Sequence, residues 1–313
     1  MYHNPVMLEE CIEGLKIHPD GVYADVTFGG GGHSRAILSK LTTGHLYAFD
    51  QAEDAQQNVI DDPRFTFIPQ NFKYFKNFIQ LYHNGKSDGV LADLGVSSHQ
   101  FDTPEKGFST RFEGHLDMRM SQSNPTDAAT IVNTYDQADL ARILSLYGEV
   151  QQAHLIAADI VMARDNEPIE TTEELKAAVA RRLPRGRENK VLAQIFQALR
   201  IEVNQELEAL TAFLSQCADV LNPGGRLVVM SYHSLEDRLV KNFMKTGNAE
   251  GKEDKDFFGN LLTPYKLITR KPMVPSDEET ERNSRARSAK LRIAEISRSE
   301  ERRVGKEGRS RGS

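Results

Sequence analysis

The segment Val22-Tyr-Ala-Asp-Val-Thr-Phe-Gly-Gly-Gly-Gly-His33, followed by Leu46-Tyr-Ala-Phe-Asp50, constrains the fold more than any other part of the chain. It reads as a buried strand, a glycine turn, a helix, and a second strand ending in a carboxylate, the first half of a nucleotide-binding α/β domain. Glycines at such a turn let the backbone approach a ligand at a helix N-terminus. Asp50 then lies where an acceptor can take both hydroxyls of a ribose. The same residue could instead cap a helix over Gln51 to Asn58. A ribose acceptor serves NAD and S-adenosylmethionine sites alike, so the feature narrows the ligand to a ribose carrier. There is no GxxxxGK[ST] sequence, which disfavours a P-loop ATPase.

Further short apolar runs at 65–68, 89–94 and 226–231 continue a strand–helix rhythm, giving the expectation of a doubly wound α/β sheet. Two last strands are expected at 265–271 and 288–296. From about 104 to 189 the pattern becomes helix after helix, with Thr171-Thr-Glu-Glu174 in the form of a capping box. The expected organisation is a first α/β part at 1–103, a helical insertion at 104–189, and a second α/β part at 190–296. Lys190 to Leu221 reads as one long amphipathic segment stopped at Asn222-Pro-Gly-Gly225. A helix is expected to open at Ser234 as its capping residue. The stretch 297–313 has almost no apolar residues and reads as a disordered tail, foreign or native.

At 313 residues, a chain with two cysteines far apart and no Cys/His cluster supports neither a disulfide framework nor a zinc site. No metal is expected, and a reducing cytoplasm is the expected location. Neither a membrane span nor a basic-then-apolar leader is visible. A net charge of −6 argues against coating nucleic acid through bulk electrostatics. Local basic runs remain at Arg181-Arg182-Leu-Pro-Arg185-Gly-Arg187 and Arg282 to Arg292, each with the alternative of being a solvated face. The Phe72, Phe75 and Phe78 stripe reads as core.

The fourth strand ends Leu91-Ala-Asp93-Leu-Gly-Val-Ser-Ser98, placing a carboxylate at the sheet edge where doubly wound folds bind ligands. With that segment the chain closely resembles the bacterial 16S rRNA cytosine-N4 methyltransferases, the RsmH or MraW family. The matching segments run in order from His3-Asn-Pro-Val-Met-Leu8 and Asp25 to Ser34 through Asp88 to Ser98, Lys106-Gly-Phe-Ser109 and Leu116 to Met120. They continue with Phe196 to Ile201, Pro223 to Leu227, Ser231-Tyr-His-Ser-Leu-Glu-Asp-Arg238 and Arg285 to Arg292, about residues 3–296 in all. Two departures occur: Ser98-His99-Gln100 stands where the family has Ser-Pro-Gln, and Asn189-Lys-Val-Leu-Ala-Gln-Ile where it has a His-Pro form.

The resemblance implies a class I S-adenosylmethionine-dependent methyltransferase fold with a helical insertion. It also implies methylation of the exocyclic amine of a cytosine in the decoding region of 16S rRNA, within the small ribosomal subunit. It places Gly31, Gly32 and His33 at the methionine end of the cofactor, Asp50 at its ribose and Phe72 against its adenine, with Asp93 and Gln100 completing the contacts. Asp93 is the leading candidate to hold the attacking amine, with a cofactor-binding carboxylate or a strand-end cap as its alternatives. Tyr232, His233, Arg285 and Arg287 are candidate contacts to RNA, by stacking and phosphate pairing, with core packing as the equal alternative for Tyr232 and a solvated strand edge for the arginines. For His33 and His233 the alternative is a hydrogen bond that fixes a loop. Two other functional readings stand beside this one: a noncatalytic RNA-binding assembly factor that keeps the pocket, and an NAD-dependent oxidoreductase.

Overall fold

Seven strands pair in the order β3-β2-β1-β4-β5-β7-β6 in the computed structural model, which describes residues 5–297. They are β1 Val22–Asp25, β2 His45–Phe49, β3 Phe65–Ile68, β4 Ser87–Asp93, β5 Leu221–Ser231, β6 Tyr265–Leu267 and β7 Lys290–Ile296. The first five are mutually parallel, while β7 runs antiparallel between β5 and β6. This is the doubly wound α/β sheet expected from the sequence, with one reversed strand near its edge. Apart from Ser297, the expected tail lies outside the described residues.

Twelve α-helices are named among the described residues: α1 Leu8–Leu15, α2 Gly32–Lys40, α3 Phe75–His83, α4 Ser98–Asp102, α5 Ala128–Thr134, α6 Gln137–Leu146, α7 Ala153–Arg164, α8 Thr172–Val179, α9 Glu188–Asn204, α10 Glu206–Val220, α11 Ser234–Thr246 and α12 Asp277–Arg282. None of them is long and apolar enough to cross a membrane. The chain divides into two compact units, one reaching Gly95 and resuming at Leu207, the other Val96–Glu206.

In the first unit, period-2 alternation sorts side chains to two faces of the sheet. Tyr23, Leu46, Leu91, Val228 and Met230 pack with Cys11 and Leu15 of α1 and Ile37 of α2. Ala24, Phe49, Val90, Ala92 and Val229 pack on the other face with Ile79 of α3, Phe213 and Leu214 of α10 and Phe243 of α11. Burying a large apolar side chain contributes about 1.5–3 kcal/mol, so these two layers hold the sheet ends in place.

The second unit is built from α5 to α9 around buried Leu140, Ile143, Ile160, Leu175, Ile195 and Leu199. Its last helix explains why the chain rejoins the first unit at Leu207 and not at the expected 190: α9 packs on α5 and α6. The single amphipathic segment expected over 190–221 is two helices, because Gln205 adopts a left-handed conformation with φ 49° and ends α9. Thr171 and Glu174 form the expected capping box at α8. At α11 the cap is His233 and not Ser234, since Glu236 reaches back to the His233 and Tyr232 amides. The Asn222–Gly225 turn is absorbed into β5 as an irregularity opposite Ser87 and Gly89.

Candidate active site at the carboxyl ends of the strands

Four neighbouring parallel strands finish on polar residues: Asp50 follows β2, Asp25 ends β1, Asp93 ends β4 and Tyr232 follows β5. The strand order reverses its direction of winding between β1 and β4, the switch point beside which doubly wound folds bind ligands. Sheet order thus brings together residues far apart in the chain.

Asp50 ties this edge to the glycine turn. Its Oδ2 accepts the Gly29 amide at 2.7 Å and its Oδ1 accepts the Ala52 amide at 2.8 Å. Burial nevertheless pushes its pKa up to about 6. Gly31 caps α2 in the left-handed region at φ 75°, and a Cβ there would lie 2.9 Å from the Phe28 ring. A Gly31→Ala variant is therefore expected to lose about 1–2 kcal/mol of stability, read as a lower urea midpoint with an unchanged slope.

On β1, between the strands that carry Asp50 and Asp93, Asp25 is 1% exposed and accepts the Ser34 hydroxyl at 2.7 Å and the Thr27 amide at 3.1 Å. Burial raises its pKa, against the lowering effect of His33. The Thr27 hydroxyl oxygen accepts the Asp93 amide at 2.6 Å, which couples the end of β4 to that of β1. His33 is buried, with Nε2 at 3.2 Å from the Val6 carbonyl. A carbonyl only accepts, so Nε2 carries a proton and Nδ1 is the atom facing Asp93 Oδ2 at 3.8 Å.

The Tyr232 hydroxyl donates to Asp93 Oδ1 at 2.8 Å. Burial first, and then the Asp93 charge, drive the Tyr232 pKa well above its ordinary value, so the hydroxyl keeps its proton and stays the donor. The Asp93 carboxyl is pushed up to about 6 by burial, with His33 and Tyr232 opposing. It is recessed but not sealed, since 24% of its side chain remains accessible.

Asp25, Asp50 and Asp93 are close enough that the Asp25 charge raises the pKa of each of the other two. A ligand that brings positive charge and hydroxyl donors relieves both effects. This set of acceptors therefore fits a cationic ribose carrier better than an anionic one.

A family model described as the MraW methylase family matches residues 1–297. The chain belongs to the MraW methylase family. It is 56% identical over 295 residues to ribosomal RNA small subunit methyltransferase H of Bacteroides thetaiotaomicron, covering 94% of this chain and 97% of that protein. The protein of the same name from Flavobacterium johnsoniae is likewise 56% identical, again over 94% and 97% of the two chains. That of Flavobacterium psychrophilum is 58% identical over 92% of this chain and 99% of its own.

The other residues singled out in this MraW methylase sequence are placed less uniformly. Gly32 is the first residue of α2, and a Cβ on it would meet Pro5 Cγ at 2.3 Å, so this glycine serves packing against the N-terminal segment. Phe72 opens a 3₁₀ turn and sets its ring edge-on to Phe213, with centroids 5.5 Å apart. Gln100 lies in the other compact unit, where its Oε1 accepts the Ser97 amide at 3.0 Å in a capping box on α4. Tyr232, expected to meet RNA, packs against the core and commits its hydroxyl to Asp93. His233 is turned inward by its capping role, leaving 8% of its side chain exposed. Arg285 and Arg287 sit in a 3₁₀ turn, and Arg287 is exposed. Farther along that basic run Arg292 is spent on Asp237, at 2.7 Å.

Asp25, Thr27 and Ser34 are not among the residues the sequence reading singles out for the site, although all three lie in the run from Asp25 to Ser34. Their signal was available: a carboxylate at the last position of the first strand, with a hydroxyl on either side of the turn.

Proposed function

We propose that this chain methylates the exocyclic N4 amine of a cytosine in the decoding region of 16S rRNA, using S-adenosylmethionine. Asp93 carries the reading: an accessible carboxylate, oriented by Tyr232 and Thr27, at the sheet edge of a methylase-family chain. The names of the curated relatives support small-subunit ribosomal RNA as the substrate. The resemblance of the motifs supports the choice of base and atom.

Asp50 would hold the ribose hydroxyls, Phe72 the adenine, and Gly31, Gly32 and His33 the methionine end. What the cofactor supplies when bound is a methyl group on a sulfonium, already an activated electrophile. The protein's own task is to orient a poor nucleophile, since the cytosine N4 lone pair is delocalised into the ring. Asp93 can accept an N4 hydrogen and favour the pyramidal amine, and Tyr232 keeps the carboxylate aimed. The base has to be unpaired or extruded for its edge to reach such a site.

Incubation with methyl-labelled cofactor and small-subunit RNA, followed by nucleoside mass spectrometry, is expected to yield N4-methylated cytidine. Label on another atom or base would overturn the assigned chemistry. RNA binding without any labelled product would favour a noncatalytic assembly factor. In a Tyr232→Phe variant, loss of a hydrogen bond to a charged group, worth about 1.5–3 kcal/mol, should slow transfer roughly 10- to 100-fold. Because Tyr232 lowers the Asp93 pKa, the acidic limb of the pH–rate profile should also move upward. An unmoved limb would remove Tyr232 from the role assigned to it.

A further inference from the structure

The helical unit carries a basic stretch that the site described above leaves unused. From Arg181 to Lys190 the chain reads Arg-Arg-Leu-Pro-Arg-Gly-Arg-Glu-Asn-Lys, five cations against one carboxylate. Several other cations of this unit pair with a nearby carboxylate, as in Arg119 with Asp117, Arg142 with Asp139, Lys176 with Glu173 and Arg200 with Glu206. In the 181–190 stretch that pattern breaks down.

Arg181 and Arg182 converge on a single carboxylate, Asp159 of α7, with Nε atoms at 2.8 and 2.9 Å from its Oδ2. Asp159 is almost fully buried, and the two guanidinium groups hold its pKa down at about 2. One acid shared between two bases leaves an excess positive charge and anchors the start of the loop. The next residues form a tight turn in which the Arg187 amide donates to the Pro184 carbonyl at 3.0 Å and Gly186 takes φ 77°. Such a turn needs glycine at its third position and places Arg185 and Arg187 on either side of it. Arg185, Arg187 and Lys190 are exposed and have no acidic partner among the described residues.

We propose that this loop grips the phosphate backbone of the RNA substrate, an inference that rests on the RNA methyltransferase reading above. Guanidinium groups match phosphate geometry through paired N–H donors, and each contact made releases counterions from the RNA. The Asp159 anchor reduces the ordering cost of presenting them. An overall charge of −6 makes such a concentrated positive loop the means of approach to a polyanion.

The test uses the full chain with Arg185→Ala, Arg187→Ala and Lys190→Ala combined, and small-subunit RNA as the probe. Three phosphate contacts at about 0.7 each should lower the slope of log affinity against log salt by about 2, with affinity down roughly 100-fold near 0.1 M salt. KM for RNA should rise accordingly, while kcat and calorimetric cofactor affinity stay unchanged. An Arg185→Lys, Arg187→Lys variant retains the charge and should keep the salt slope, which a purely structural role of the arginines would not predict. If the triple alanine variant methylates RNA with unaltered KM and salt slope, the loop is not a phosphate contact and the enzymatic reading survives. If the unaltered protein binds RNA but transfers no methyl to it, the enzymatic reading fails, and the salt slopes still decide the loop.

Discussion

Replacing Asp93 by Asn is expected to lower kcat for methyl transfer by about 10²- to 10⁴-fold at saturating cofactor and RNA. The amide keeps the size of the carboxylate and can still accept from Tyr232, so the loss isolates the charge that holds the amine. Single-turnover transfer of labelled methyl, alongside calorimetric cofactor binding, separates the two roles open to this residue. A variant with normal kcat and weakened cofactor affinity would make Asp93 a binding carboxylate only. The folded-state pKa of about 6 also sets a pH window. Because it is raised above the ordinary carboxylate value, Asp93 favours the folded state below about pH 4, and that contribution disappears as pH rises through about 6. The stability of Asp93→Asn relative to the unaltered chain should therefore improve between those limits. Transfer by the unaltered chain should rise over the same interval, as the acceptor becomes ionised.

Phe213→Ala should cost about 3–5 kcal/mol of stability, the range for removing a fully buried aromatic ring. Phe213 is 0% exposed and meets the rings of Phe72 and Phe75, each at a centroid distance of 5.5 Å. The substitution opens a cavity on the α10 face of the sheet and removes the backing of the residue proposed to lie against adenine. Urea unfolding should show a large drop in midpoint, accompanied by weaker cofactor binding. Leu81→Ala is the control, since Leu81 is 72% exposed and its truncation should change stability by less than about 0.5 kcal/mol. A small loss at Phe213 would mean that this layer can collapse around the gap.

Much of the framework was legible because its determinants are local. The run through Val22 and Phe28 to Gly32 announces strand, turn and helix by residue type, and the structure places Asp50 and Asp93 at the ends of β2 and β4 as their chain positions imply. The helices from α5 to α8 showed themselves through three- and four-residue spacing, and the α8 capping box through a hydroxyl and a carboxylate three positions apart. The break between α9 and α10 gave no such sign, because it rests on a glutamine in a left-handed conformation that glycine or asparagine more often marks.

Side-chain partners across the sheet were another matter. Tyr232 and His233 are adjacent, aromatic and polar, and the chain alone leaves open whether they face RNA or serve as a core ring and a loop-fixing hydrogen bond. Sheet order sends the hydroxyl of Tyr232 to Asp93, 139 positions earlier, while the start of α11 draws His233 inward as its cap. Asp159 and the Arg181–Arg182 pair show the same thing in the helical unit, meeting across 22 and 23 positions. Propensity, turn chemistry and periodicity act over a few residues, so the sequence alone determined most of the elements and which end of the sheet carries the acids. Which acid meets which donor depends on pairing register and helix packing, long-range terms that exist only once the chain has closed on itself.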